Sequence, residues 1–378
     1  MTAKVAIVKT TPQTVLDDVR RVMSLAGLSQ ALAPDTTTIL KNNLSWHLLY
    51  PGANTTPWQL EGTILGCRDA GLDDLVCVEN ETVVTSAEKG ERLNKQRVVC
   101  EHYGVPIRYN FRPADMAWEL YRPKSPMLVL DEIFPMGIRI PDYFQGKNVI
   151  HLPTIKCHIY TNYTGSMKNA FGGLLDNKRH YCHSRIDRTL VDLLAIQKEI
   201  HPGIFTVTDG TTAGNGPGPR TMIPLAKNVL LASSDCVAVD AIAGKLMGFD
   251  PMDHEFIRLA HERGLGVGRP EEIEIVGDVD VAEENWHFHT GSNAASRVGK
   301  ALWFGPMRWL QRLMFHTPIV YMFIFASALY HDRLWYPIFG RPRVNDWLKN
   351  SPWGRLFAAY QPGGKTSTQG SPAGTLPG

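Results

Sequence analysis

Short apolar, β-branched runs alternate with helical patterns along most of the chain. Residues 4–10 alternate as a strand does, residues 12–26 have helical spacing behind a capping Thr11, and residues 36–40 form a second apolar run. Parallel strands need a crossover of a dozen or more residues, usually a helix, so this order predicts a β-α-β unit. Repeated along a chain, such units are typical of α/β proteins.

The same alternation predicts the remaining elements. Further strands are expected at residues 75–78, 107–109, 127–130, 149–152, 204–208, 227–232 and 273–276. Further helices are expected at residues 56–70, 86–103, 187–199, 237–248 and 254–263, with Asp187 and Asp235 as caps of the third and fourth. The predicted fold is α/β, with a mixed or mostly parallel sheet and helices on both faces, and this domain should span residues 1–285.

The composition changes after residue 296. Ten Lys and Arg accompany two Asp and Glu from Arg297 onward, and five of the nine tryptophans lie between Trp303 and Trp353. Residues 297–360 are predicted to be a basic, aromatic, amphipathic helical module. The uncharged stretch is interrupted by Pro318 and is short for a spanning helix, so the module could lie on an anionic membrane surface. A helical cap on the protein's own core, or a dimer contact, is the alternative.

Five arginines of this module could face anionic lipid, namely Arg308, Arg312, Arg333, Arg341 and Arg343. Residues 361–378 are rich in Gly, Ser, Thr and Pro and are predicted to be disordered. The first residues have no signal-peptide pattern, and the six cysteines include no C-x-x-C pair. We therefore expect a cytoplasmic protein, peripheral on a membrane if the module binds one, without a ferredoxin-type cluster of its own.

The richest polar stretch is residues 152–173, directly after the predicted strand at residues 149–152. In open α/β sheets, ligands bind at the carboxyl ends of the strands. Backbone N–H groups at a helix start near Met167 could hold an anion. The candidate binding and catalytic residues of this stretch are Lys156, His158, Thr164, Gly165, Ser166, Lys168 and Asn169. A basic surface loop is the alternative interpretation.

Other polar residues are predicted to join this site from neighbouring strand ends. They are Lys41 and Asn43, Asp209 with Gly214 and Gly216 in a glycine-rich loop, and Asp240. His158 is the expected acid or base because imidazole titrates near neutral pH. Lys156 and Lys168 would hold an anionic small molecule, and Asp209 would orient a partner. A rigid structural loop after Asp209 is the alternative.

His180, Cys182 and His183 bring nitrogen and sulfur ligands close together, but their spacing matches no zinc motif. They are the candidate metal ligands, and the cofactor stays unknown. The chain has neither a Walker A lysine nor G-x-G-x-x-G, so no nucleotide site is predicted. No nucleic-acid partner is expected.

Three strings together resemble a known family: LPTIKCHIYTNYTGSMKNAFGGLLDNKRHYCH, TDGTTAGNGPGP and SSDCVAVDAIAGKLMGFDP. In order and spacing they are similar to motifs of the family catalogued as domain of unknown function 362, and ILKNNL is similar to its Lys-Pro-Asn segment with Asn42 in place of proline. Members are often joined to iron–sulfur modules, so the resemblance implies redox chemistry nearby and a separate ferredoxin as a partner. The Lys-x-His, Thr-Gly and Lys-Asn pattern also looks like a stretch of nickel-pincer lactate racemases.

These observations leave three kinds of function open. The first is an enzyme that acts on an anionic small molecule by Lys and His acid–base chemistry, with redox or proton transfer as the reaction class. The second is a non-catalytic ligand-binding or membrane-scaffold protein. The third is a partner of a separate iron–sulfur electron carrier.

Overall fold

The computed structural model describes residues 3–80, 82, 84–293, 297, 302, 304–305, 308–310, 314, 317 and 319–364. Trp303, Arg312, Pro318 and residues 365–378 of the predicted disordered tail lie outside the described residues.

Twelve strands are described, and ten of them form one sheet. The strands are β1 (Ala3–Lys9), β2 (Thr38–Asn42), β3 (Leu75–Glu79), β4 (Ile107–Tyr109), β5 (Trp118–Tyr121), β6 (Ile138–Pro141), β7 (Asn148–Leu152), β8 (Thr154–His158), β9 (Asn162–Thr164), β10 (Ile204–Asn215), β11 (Ile223–Ser233) and β12 (Ile273–Gly277). The sheet order is β12-β1-β11-β10-β7-β2-β3-β4, with β8 on β10 and β9 on β8, while β5 and β6 pair separately.

Both parallel and antiparallel pairs occur in the large sheet. β10, β7, β2, β3 and β4 run parallel to one another, and β1 runs parallel to β12. β11 runs antiparallel to both β1 and β10. The sheet is therefore mixed and largely parallel, as the sequence predicts.

Helices cover both faces of this sheet. They are α1 (Val15–Leu25), α2 (Leu28–Ala31), α3 (Pro57–Asp69), α4 (Ala87–Leu93), α5 (Gln96–Tyr103), α6 (Leu130–Ile133), α7 (Ser166–Leu174), α8 (Ile186–Ile200), α9 (Cys236–Met247), α10 (Glu255–Glu262), α11 (Val320–Ala328), α12 (Arg341–Asn350) and α13 (Pro352–Ala359). One core lies between the sheet and α1, α3 and α5, and the other lies between the sheet and α7–α10. The α/β fold class is confirmed.

Several local predictions are wrong for identifiable reasons. Residues 127–130 form no strand, because the buried Asp192 carboxylate accepts the N–H groups of Leu128, Val129 and Leu130 and removes them from any ladder. The helix predicted at residues 86–103 is two helices, because Lys95 adopts a left-handed φ of 58°. α1 begins at Val15 rather than at residue 12, and Asp187 lies inside α8 rather than at its cap.

The glycine-rich stretch after Asp209 is also misassigned. β10 continues through it to Asn215 and pairs with β11 on one side and β8 on the other. Gly214 permits this close approach, since a Cβ there would lie 2.4 Å from Met222 Sδ and 3.1 Å from Lys156 Cβ. Glycine here serves strand packing, which a composition rule for loops cannot anticipate.

The end of the C-terminal module packs on the α/β core. Trp353 lies 5.3 Å from Trp58 of α3, measured between ring centroids. The Glu61 carboxylate accepts hydrogen bonds from Tyr103 Oη at 2.6 Å, from Tyr360 Oη at 2.5 Å and from Gly363 N at 2.8 Å. α12 and α13 thus cover the face formed by α3 and α5.

Between α11 and α12, the π-helical segment Leu329–Gly340 packs on residues 44–54. Tyr336 Oη donates to Leu49 O at 3.0 Å, and Trp46 Nε1 donates to Asp332 Oδ1 at 2.7 Å. The same stretch, residues 44–54, also borders the predicted site.

Candidate functional site

Lys156 lies on β8, directly beyond the carboxyl end of β7, and its side chain is completely buried. Its ammonium nitrogen Nζ donates to Asn43 Oδ1 at 2.6 Å, Ala53 O at 2.9 Å and Thr154 Oγ1 at 2.6 Å. Burial, helped by the nearby charge of Lys168, lowers the lysine pKa well below its usual range. A lysine held by three acceptors in this way is fixed in position.

A hydrogen-bonded chain of side chains extends from Lys156 across the strand ends. Asn43 contacts Asn169 of α7, with Nδ2 3.4 Å from Oδ1, and Asn169 Nδ2 donates to Lys41 O at 2.8 Å. Asn169 also lies 3.5 Å from His151 Nδ1. The structure therefore brings together Lys41, Asn43, Lys156 and Asn169, although they are far apart in sequence.

His158 is buried at the end of β8, and its tautomer follows from its contacts. Two backbone N–H groups, of Tyr160 at 3.2 Å and Thr161 at 3.4 Å, point at Nδ1. Backbone donors cannot reverse, so Nδ1 must accept and the proton of the neutral ring must be on Nε2. Burial, with the charges of Lys168, His183 and Lys156, lowers the pKa of His158 well below its usual range. At neutral pH this histidine is a hydrogen-bond donor through Nε2.

Lys168, on the first turn of α7, is partly buried. Its ammonium has no hydrogen-bond acceptor and no carboxylate partner among the residues that the structure describes. Burial, followed by the charge of Arg179, lowers its pKa to about 8. Lys168 Nζ lies 5.7 Å from the centroid of the Phe171 ring, a weak cation–π contact.

Two further residues that the sequence analysis did not place among the binding residues, Arg179 and His183, belong to this neighbourhood. Arg179 influences the pKa values of Lys41, Lys168 and His183. His183, proposed from sequence as a metal ligand, has its pKa lowered to about 4 by burial and packs edge-on against Tyr160 and Phe171. Nothing in the local sequence indicated that the 3₁₀ helix Asn177–Arg185 would fold back beside Lys168.

Glu79, at the end of β3, was missed as well. Its Oε1 accepts from Asn42 Nδ2 at 3.0 Å, and burial raises its pKa to about 7 while the charge of Lys41 lowers it. Lys41 itself donates to Asn42 O at 2.6 Å and is almost completely buried. The available signal was a glutamate directly after the strand predicted at residues 75–78.

The helix start at residues 164–166 does not offer its N–H groups to a ligand. Asp240 Oδ1 accepts from Ser166 N at 2.6 Å, and Oδ2 accepts from Met167 N at 2.9 Å. Gly165 is required there, since a Cβ would lie 2.0 Å from Asp240 Oδ1. The predicted anion site at this terminus is therefore already occupied by an internal carboxylate, whose pKa burial raises to about 7.

Thr164, Ser166 and Gly216 likewise have structural positions. Thr164 pairs with Lys156 across the β8–β9 ladder, Ser166 Oγ lies 2.6 Å from Thr206 Oγ1, and Gly216 adopts a φ of 108° in the β10–β11 turn. The Ser166 hydroxyl is thus paired within the protein, and Thr164 lies directly opposite Lys156 in the ladder.

Asp209 is buried on β10, and both carboxylate oxygens are engaged. Oδ2 accepts from Thr56 Oγ1 at 2.6 Å, and Oδ1 accepts from Thr211 N at 2.6 Å. Thr56 in turn caps α3. Asp209 thus fastens β10 to the start of α3, and it lies near enough to Lys156 to oppose the lowering of that lysine's pKa.

His180, Cys182 and His183 do not assemble a metal site. Within the described part of the chain, no group of three or more His, Cys, Asp or Glu residues could hold a metal ion. Cys182 is fully buried in the core, which raises its thiol pKa to about 12, and His183 Nδ1 lies 2.9 Å from His180 O.

Fold and site together define an α/β protein with buried basic side chains at the carboxyl edge of a mixed sheet. The chain belongs to the DUF362 family, a domain of unknown function, whose model matches residues 38–245 and so more than half of the chain. The match includes Lys41, Lys156, His158, Lys168, Asp209 and Asp240.

Other comparisons add little. No curated protein matches this chain. A crystal structure of a Thermotoga maritima protein is similar at 12% identity with a TM-score of 0.34, covering 57% of this chain and 53% of that one. The chain thus spans about half the length of that protein. Across the ranges described here, no helix has the length and apolar character needed to cross a membrane.

Proposed function

We propose that the protein is an enzyme that acts on an anionic small molecule by acid–base chemistry of Lys168, with neutral His158 as a hydrogen-bond donor. The observation that carries this proposal is the Lys168 ammonium, which lies among other basic groups and has no anionic partner among the described residues. Several cations close together repel one another and cost stability. A bound carboxylate or phosphate would offset that repulsion through charge-assisted hydrogen bonds.

The basic groups differ in the chemistry that each can perform. All three N–H donors of Lys156 are engaged by protein acceptors, so its role in this proposal is to hold Asn43 and Ala53 in place beside the site. Neutral His158 can donate from Nε2 to an oxygen on which negative charge develops. Lys168, with a pKa of about 8, can give or take a proton near physiological pH. The reaction class that fits is proton transfer next to an oxyanion.

The test compares wild-type protein with Lys168→Met and His158→Asn. Protein incubated with a fractionated metabolite extract should deplete or isomerise an anionic compound, detected by mass spectrometry. Both variants should lose that conversion, while Lys198→Met, which removes an exposed lysine on α8, should retain it. Conversion that persists in both site variants would show that the chemistry lies elsewhere.

A non-catalytic ligand-binding protein is the rival from another class. It predicts that an anionic compound co-purifies with the protein and is lost in Lys168→Met, but that it leaves the protein unchanged. A redox function, in which a separate ferredoxin supplies electrons, is a further alternative that rests on the family resemblance. Anaerobic purification with reduced ferredoxin and an absorption spectrum would test it.

We also propose that the C-terminal module contacts an anionic membrane surface. α11 carries no charged residue and buries none of its side chains, and Tyr321, Met322 and Phe325 are each about 70% exposed. An apolar helix of this kind in contact with water is typical of an interaction surface. Arg343 does not contribute as predicted, because it donates to Met222 O at 3.2 Å and lies against the Trp335 ring.

A further inference from the structure

Arg220 follows the glycine-rich end of β10, in the turn that leads to β11. Its side chain is partly buried, and burial lowers the guanidinium pKa to about 10. It forms no hydrogen bond and no ion pair with any residue that the structure describes. A guanidinium has five N–H donors, and those of Arg220 are therefore open to water or to a ligand.

The nearest acid cannot satisfy this arginine. Asp332 attracts Arg220 electrostatically, yet its two oxygens face other partners. Oδ1 accepts from Trp46 Nε1 at 2.7 Å, and Oδ2 lies 3.4 Å from His47 Nε2. Asp332 therefore neutralises part of the charge without a hydrogen bond to the guanidinium N–H groups.

The other groups around Arg220 add no anion. Its charge lowers the pKa values of His47 and His331, which burial already lowers, so both imidazoles are neutral near pH 7. His47 Nδ1 is buried and has no hydrogen-bond partner. An acceptor-rich anion at this point would satisfy Arg220, whose fork matches the oxygens of a phosphate.

Arg220 also lies beside the exposed apolar surface. His331 and Asp332 belong to the π-helical segment that continues directly from α11, and His331 Nδ1 lies 2.8 Å from Ser327 O in the last turn of α11. An unpaired cation next to an uncovered apolar helix is the arrangement that an amphiphile with a negative head group complements.

We propose that Arg220 binds the phosphate group of an anionic lipid whose acyl chains lie against α11. The proposal rests on the membrane contact proposed above and names the group that would make it selective. Phosphate in solution offers the same oxygens, so the two sources must be separated experimentally.

The test is flotation of the full-length protein with phosphatidylcholine vesicles that contain or lack phosphatidic acid. Three variants accompany the wild type: Arg220→Gln, Arg269→Gln as the matched control, and Phe325→Ser on the apolar face. Arg269 is exposed and pairs only at the surface with Glu271 and Glu272, at 3.9 and 3.6 Å. Thermal unfolding is measured for each, with and without phosphatidic acid or soluble glycerophosphate.

Wild type and Arg269→Gln should float with phosphatidic acid vesicles, and Arg220→Gln should bind them about tenfold or more weakly, the loss expected for one charge-assisted contact. Without ligand, Arg220→Gln should keep the wild-type melting temperature, because no bond is removed. Phe325→Ser should weaken binding to both kinds of vesicle.

The outcomes separate the two proposals. If wild type floats with neither vesicle, the membrane contact is wrong, and the lipid assignment with it. If wild type floats and Arg220→Gln floats equally well, only the Arg220 assignment is overturned. Stabilisation by glycerophosphate as large as that by vesicles would identify a soluble phosphate as the ligand instead. If Arg220→Gln lowers the melting temperature and the double variant with Asp332→Asn restores it, Arg220 serves as the counterion of Asp332. That result would overturn the proposed binding role of Arg220.

Discussion

Two charged side chains near the start of α7, Asp240 of α9 and Lys168 of α7, differ completely in their surroundings. The Asp240 carboxylate accepts two backbone N–H groups at the start of α7, at 2.6 and 2.9 Å. The Lys168 ammonium, on α7 two residues beyond Ser166, has no hydrogen-bond acceptor among the described residues. Both pay an electrostatic cost for burial, visible as a raised pKa of about 7 for Asp240 and a lowered pKa of about 8 for Lys168.

The difference defines two kinds of charged residue at this edge of the sheet. A buried charge whose hydrogen bonds are complete holds elements together, and its removal leaves partners unpaired. A charge that is partly buried without protein partners costs the folded state stability, and a bound anion would offset that cost. Asp209 and Lys156 resemble Asp240 in this respect, whereas Arg220 resembles Lys168.

The largest expected effect is at Asp240. Asp240→Ala leaves Ser166 N and Met167 N without an acceptor in the core, so the free energy of unfolding should fall by about 2–4 kcal/mol. Urea denaturation measures this loss. The control is Asp253→Ala, which removes an exposed aspartate from the connection between α9 and α10. A loss no larger than that of Asp253→Ala would break the comparison, because Asp240 would then be dispensable to the fold.

A matched pair of lysines gives the next largest effect. Lys156→Met removes the donor shared by Asn43, Ala53 and Thr154, and should lower the free energy of unfolding by about 1–3 kcal/mol. Lys168→Met removes no bond and should leave stability unchanged or raise it. Thermal and urea denaturation of both variants would check this, and equal destabilisation would show that Lys168 also has a structural role.

Much of this organisation could be predicted from the sequence, for local reasons. The apolar run at residues 149–152 is a strand in the structure, and the polar residues after it do lie at a strand end beside Lys41 and Asn43. The Asp235 cap and the Gly248 C-cap of α9 follow from rules that span a few residues. The α/β class follows from the repetition of such elements.

What could not be predicted depends on distant partners. Asp240 was predicted to bind a ligand. Its hydrogen bonds to Ser166 and Met167 span more than seventy positions along the chain, so the local sequence does not reveal them. Residues 127–130 were predicted to be a strand, but the N–H groups of residues 128–130 donate to the distant Asp192 carboxylate. Tertiary contacts decide whether a charged residue has hydrogen-bond partners within the protein. This property distinguishes Arg220 and Lys168 from Asp240, Asp209 and Lys156.

The smallest effect expected is in the pH dependence of stability. The pKa of Lys168 is about 8 in the folded protein, against about 10.4 for an unperturbed lysine in the unfolded chain. Below pH 8 both states carry the charge, and the folded state bears the cost of burying it. Between about pH 8 and 10 the folded state releases the proton while the unfolded chain keeps it, so the contribution of Lys168 to stability rises with pH.

The stability advantage of Lys168→Met over wild type, about 1–2 kcal/mol after allowance for partial exposure, should therefore be largest below pH 8 and shrink toward pH 10. Urea denaturation of the two proteins at a series of pH values measures the difference directly. A difference that stays constant across this range would mean that Lys168 keeps its ordinary pKa. Lys168 would then no longer contrast with Asp240 as a partly buried charge without a protein partner.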